Sequence, residues 1–131
     1  MAPSPADNAA QAEEYFAIYR ELIGFVPPRI QERVKLGLEV DPHLLGQVEA
    51  LRASAMYPTC FDTKTAQLIL FAVLLDQISP ASEYHARGAV RAGATREELH
   101  AIAGLVFLFR GLPAFNLAGE VINKIFKDVA K

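Results

Sequence analysis

The stretch Pro80–Pro113, PASEYHARGAVRAGATREELHAIAGLVFLFRGLP, decides how this chain is read. Ser79-Pro80 starts a helix expected to run to Gly93. Thr95-x-x-Glu98 then has the form of a capping box, in which a hydroxyl and a carboxylate each take a backbone N–H at the start of the next helix. Gly111 and Pro113 break the chain again. The first of these helices carries His85. With about 100° per residue, Ala81, Ser82, Gly88, Ala89 and Ala92 fall on the side of the histidine. Such small neighbours leave space beside the imidazole, for a closely approaching helix or for a small ligand, and spacing alone leaves both open. Gly88 is about 1 kcal/mol worse than Ala in a helix, which argues that something comes close there.

Working outward, the punctuation predicts an all-α chain of about six to seven helices. Tyr15, Phe16, Tyr19, Leu22 and Ile23 recur at helical spacing, and Gly24 and Pro27-Pro28 end that helix. Ile30, Val34 and Leu38 mark a second, over 29–40. Asp41-Pro42 restarts the chain as N-cap and first helical residue, and Tyr57-Pro58 stops it. Asp62 caps a fourth helix over 63–78, and the last is expected over 114–129. Residues 1–9, rich in Pro, Ser, Ala and Asn, are expected to be disordered, with 10–131 as one domain. The segments AQLILFAVLL at 66–75 and AIAGLVFLF at 101–109 are apolar on every side. They are read either as the centre of a bundle or as faces that meet another subunit, and an oligomer is the favoured expectation.

Composition excludes several function classes. The 131 residues suit a single domain, with a net charge of −2 and no basic run to attract nucleic acid. The N-terminal residues lack the pattern of a signal peptide, and the longest apolar run, 68–75, is far too short for a membrane span. A single cysteine fits a reducing compartment, so a cytoplasmic protein is expected, with no nucleic acid and no membrane as partner. His43, His85 and His100 have no ligand spacing, so no metal site is expected. His43 is placed on the surface, His100 half-exposed, and Cys60 as a small buried residue.

Partners for His85 must come from other helices, because Glu83, Arg87 and Arg91 lie on the opposite side of its own. Glu83 and Arg87 are read as an i,i+4 charge pair, with Arg87 an anion clamp only if the helix lies between subunits. Gln67, polar within the apolar fourth helix, is one candidate partner. Tyr57, Thr59 and Cys60 precede that helix in a loop able to line a pocket. Arg110 and Asn116 bracket the break at Gly111–Pro113.

Four motifs together resemble the carboxymuconolactone decarboxylase family, part of the alkylhydroperoxidase D-like group. They are D-x-K-T-x-x-L-I (Asp62 to Ile69), H-x-R-x-A (His85 to Ala89), G-x-T-x-E-E-L (Gly93 to Leu99) and G-x-P-A (Gly111 to Ala114). The resemblance covers residues 62–121 and implies an all-helical subunit in a homotrimer, or a hexamer of trimers. Its peroxidase branch carries C-x-x-C-x-x-x-H, where this chain has Ile78, Ala81 and His85. It also uses a glutamate near the position of Gln67. The decarboxylase branch has an acidic residue about a turn before the histidine, where this chain has Ala81. What is retained is the histidine.

The resemblance implies a cofactor-free lyase of aromatic compound catabolism, acting on a small carboxylated lactone or ring-cleavage product. His85 would be the acid–base, Arg110 or a neighbouring subunit's Arg87 would offset negative charge, and Tyr57 or Gln67 would hydrogen-bond the enolate. The alternative is a non-catalytic oligomeric binding or scaffold protein with a degenerate pocket. A pocket beside His85 favours the enzyme, and a face filled by side chains favours the scaffold.

Overall fold

Proline, glycine and short capping side chains divide the chain much as the sequence predicts. The helix expected from Ser79-Pro80 to Gly93 is the shorter Ser82–Arg91, and two differences are larger. The computed structural model describes residues 4–129, which form seven helices and no strand. The helices are α1 (Pro5–Ile23), α2 (Pro28–Val40), α3 (Pro42–Met56), α4 (Thr63–Asp76), α5 (Ser82–Arg91), α6 (Arg96–Arg110) and α7 (Leu112–Val129).

The first difference is at the N-terminus. Residues 1–3 lie outside the described residues, but Pro5 to Ala9 are helical rather than disordered. Ser4 and Asp7 form a reciprocal capping box and Pro5 supplies the first helical residue, so local chemistry outweighs the polar composition. The second is Pro113, which was read as part of a break. It sits in the first turn of α7, where its missing N–H costs nothing, and Gly111 alone makes the turn at a φ of 87°. The Asp41, Asp62 and Thr95 caps are present, and Thr95–Glu98 is a full capping box.

The chain divides at Pro58–Thr59 into two compact units. In the first unit Val34, Leu38 and Leu45 are buried, with Tyr15, Phe16 and Ile30 packed on them. Its polar centre is Glu49, only 6% exposed. Arg33 reaches Glu49 Oε1 at 2.7 Å and the Tyr19 hydroxyl at 2.6 Å, Arg52 also donates to that hydroxyl, and Tyr19 donates to Glu49 Oε2. Burial pushes the Tyr19 hydroxyl above its usual pKa.

The second unit holds the histidine helix. Phe71 and Leu75 of α4, Ala86 and Ala89 of α5, Leu99 and Ala103 of α6, and Ala118, Val121 and Ile125 of α7 close one core. The alanines at the contact points let the helix backbones approach closely. Lys64 of α4 ties to Glu98 of α6 at 3.0 Å, joining two of the sequence motifs.

The two turns that flank α5 use the same geometry with different residues. After α5, Gly93 takes a φ of 106° and the Ala94 N–H returns to Ala89 O. After α4, the N–H of Ile78 returns to Leu75 O and that of Ser79 to Leu74 O, the bond pair of a Schellman cap. There the left-handed residue is Ile78, at a φ of 52°, a strained position for a β-branched side chain.

Candidate functional site

His85 projects from the middle of α5 and is half-buried. Its Nδ1 lies 2.8 Å from Oε1 of Gln67, which comes from α4 and is fully buried. The amide oxygen is an acceptor only, so Nδ1 carries the proton and the lone pair of the neutral ring is on Nε2. The polar residue that stood out in the apolar α4 is thus the group that sets the histidine's tautomer.

Gly88 explains how the two helices come this close. A Cβ at position 88 would stand 2.8 Å from Gln67 Oε1 and 3.3 Å from its Cδ. The small-residue side of α5 is therefore a helix crossing: Ser82, Gly88 and Ala89 are all buried there. Of the two readings left open by spacing, the structure shows the close helix approach. Ser82 adds an oddity, because its buried hydroxyl makes no hydrogen bond among the described residues.

Arg87, Arg110 and Tyr57 have surroundings of their own. Arg87 is held on α5 by Glu83 at 3.0 Å and crosses to Asp128 of α7 at 2.7 Å; Lys124 of α7 also reaches Glu83 at 3.1 Å. Arg87 is thus engaged within its own chain, with a side chain only 17% exposed, and not in the solvated stripe that its spacing suggested. Arg110 is exposed as the last residue of α6 and makes no ion pair among the described residues. Tyr57 belongs to the first unit, where it closes α3 and lines a small cavity with Tyr19, Glu49 and Arg52. Burial, followed by the nearby Glu21 carboxylate, raises its hydroxyl pKa. Cys60, read as a buried small residue, is exposed, and so are His43 and His100.

The fold and the His85 helix define a class. The carboxymuconolactone decarboxylase family model matches residues 42–123, more than half of the chain, and this protein belongs to that family. Among solved structures, a protein of Burkholderia xenovorans LB400 named for the carboxymuconolactone decarboxylases is similar in fold, with a TM-score of 0.75. The alignment covers 94% of this chain and 96% of that one at 20% identity. No curated protein matches the sequence. The family model begins at Pro42, so α1 and α2 lie outside it, whereas the Burkholderia structure resembles nearly the whole chain.

Proposed function

We propose that this protein is a cofactor-free lyase that acts on a small carboxylated lactone or a related ring-cleavage product, with His85 as its acid–base. The observation that carries this reading is the bond from His85 Nδ1 to the buried Gln67. A histidine held in one tautomer by a neutral amide is poised to exchange a proton at Nε2. In such a substrate the bond to the carboxylate breaks as CO₂ leaves, and its electron pair flows into the conjugated carbonyl. The proton that ends the reaction is then returned to carbon. Gln67 is a positioning residue here, since its carbonyl is committed to the ring. Arg110 is the cation we retain as the partner for developing negative charge, because Arg87 is already paired with Glu83 and Asp128.

The same reading includes a homotrimer or a hexamer. Ile69 and Val73 of α4, and Leu105, Leu108 and Phe109 of α6, stay exposed in the single chain, Phe109 at 96%. A further subunit is the natural cover for such a surface.

The second reading, a non-catalytic oligomeric binding protein, is favoured by one observation. The small-residue side of α5 is filled by α4, with Gln67 packed on Gly88. The test is direct: incubate the protein with carboxymuconolactone and follow CO₂ release and loss of substrate absorbance. Turnover that falls in His85→Gln supports the enzyme. No turnover above the rate in buffer supports the binding protein.

A further inference from the structure

We propose that the cleft between α6 and α7 is a second ligand site, built for a small planar monocarboxylate. The cleft has a volume of about 390 Å³ and is lined by Arg96, Glu97 and His100 of α6 and by Gly119, Ile122 and Asn123 of α7. That volume falls within the ~300–1,000 Å³ typical of small-molecule sites. Neither His85 nor Gln67 lines it, so it is a separate site from the His85–Gln67 pair.

Gly119 shapes the cleft, although Gly104 of α6 is likewise a helical glycine with nothing near its missing Cβ. Gly119 sits in the interior of an 18-residue helix, where glycine is among the poorest residues. A Cβ at 119 would meet nothing within 4 Å, so no packing among the described residues demands its absence. By contrast, Gly88 has Gln67 pressed against it. The missing side chain at 119 leaves the cleft open, and Ile122 adds an apolar wall one turn on.

The polar groups define the ligand chemistry. The guanidinium of Arg96 offers the planar fork that suits a carboxylate, and the Asn123 amide can add a further N–H. The capping box of Thr95 and Glu98 already occupies the start of α6, so the donors are side chains and not the helix end. The His100 ring rests on Phe115 at 5.6 Å between centroids, and Phe115 rests in turn on Phe107. That aromatic backing suits a flat ligand face. Glu97 places a negative charge on the rim, which repels a second carboxylate and restricts the site to monoanions.

The exposed apolar residues that we assign to subunit contacts lie elsewhere on α6. Phe109 is nine residues beyond His100, about half a turn round the helix, and Leu105 is about 140° away; Leu108 is only about 80° round, but about 12 Å further along the axis. A subunit seated on Phe109 and Leu105 faces away from His100.

Benzoate is the probe. The C2 protons of the chain's three histidines, followed by NMR, separate this cleft from the rest of the molecule. Benzoate should shift His100 and leave His43 and His85 unmoved, with a Kd on the order of 1 mM. Benzyl alcohol should shift nothing. Gly119→Leu should abolish the shift by filling the cleft, and Arg96→Gln, at an exposed position, should weaken binding roughly tenfold or more. His85→Gln should leave benzoate binding unchanged, so failure here is separable from failure of the lyase reading. No shift of His100 at ~20 mM benzoate overturns the proposal, as does a shift that survives in both cleft variants. A change of particle mass in Gly119→Leu would also overturn it, because the cleft would then be a subunit contact.

Discussion

Gly88 and Gln67 are in such close register that one oxygen serves two contacts. Gln67 Oε1 lies 2.8 Å from His85 Nδ1 and would lie 2.8 Å from a Cβ added at Gly88. An alanine at 88 must therefore push the amide off the imidazole. Helix propensity gains about 1 kcal/mol from Gly→Ala, while the crowded amide loses a similar amount. The expected outcome for Gly88→Ala is a melting temperature within a few degrees of wild type and a loss of turnover of about tenfold or more. Unchanged turnover in the folded variant would show that the Gln67 contact does not matter to His85.

Gln67→Leu tests the same contact from the other side. Leucine keeps the volume but removes the acceptor, and it leaves the His85 Nδ1–H without this partner. Turnover should again fall about tenfold or more, with the helices still folded by circular dichroism. If Gln67→Leu retains wild-type turnover, the amide is packing alone.

Ser82 and Ile78 are places where the fold carries a cost that a substitution can remove. The buried Ser82 hydroxyl makes no hydrogen bond among the described residues, so Ser82→Ala should be neutral or stabilising by up to about 1 kcal/mol in urea unfolding. Ile78 holds the left-handed cap of α4 and is 40% exposed, so it buries little to offset the strain. Ile78→Gly should stabilise by about 1 kcal/mol. A clear loss of stability in either variant would mean that the side chain makes a stabilising contact beyond those within the described residues.

Glu49 anchors the first unit. Its removal leaves Arg33 and Arg52 facing the Tyr19 hydroxyl without a counter-charge. Both arginines are about a third exposed, so solvent takes up part of the loss, and Glu49→Ala should cost about 2 kcal/mol rather than the full penalty of a buried pair. A change below about 0.5 kcal/mol would place the strength of the first unit in its apolar contacts.

Acid should loosen the helix starts of the second unit. The Lys64 ammonium, followed by the Thr95 N–H, holds the Glu98 carboxyl below its usual 4.5. Hydrogen bonds from Thr65 hold Asp62 below 3.8. Both folded-state values are depressed, so this stabilisation is fully present above the ordinary carboxylate values and is lost as pH falls through the lowered ones. Melting temperature should fall below about pH 4.5, and Asp62→Asn with Glu98→Gln should flatten that limb. An unchanged acid limb in the double variant would place the acid sensitivity elsewhere.

The parts of the fold that were legible in the sequence are those set by local chemistry. Asp41-Pro42, Asp62 and Thr95–Glu98 fix helix starts through bonds that span three residues, and those starts stand where they were read. The start at Pro5 was also written locally, in Ser4 and Asp7, but a polar, proline-containing composition hid it. Gln67 could be singled out because a lone amide in an apolar helix needs a partner, and His85 was the candidate within reach. The bond from Arg87 to Asp128 spans 41 residues, and the cluster around Tyr19 draws on three helices. No periodicity encodes contacts of that kind. The filled side of α5 and the open cleft at Gly119 both come from glycines in helices, and only the neighbours reveal which glycine is covered.

The measurement that bears most directly on the central claim is turnover of carboxymuconolactone per folded subunit in His85→Gln, taken beside its melting temperature. If His85 is the acid–base, the folded variant turns over about 10²–10⁴-fold more slowly, because the glutamine keeps the shape of the site but cannot exchange the proton. A folded His85→Gln protein with wild-type turnover would contradict that role.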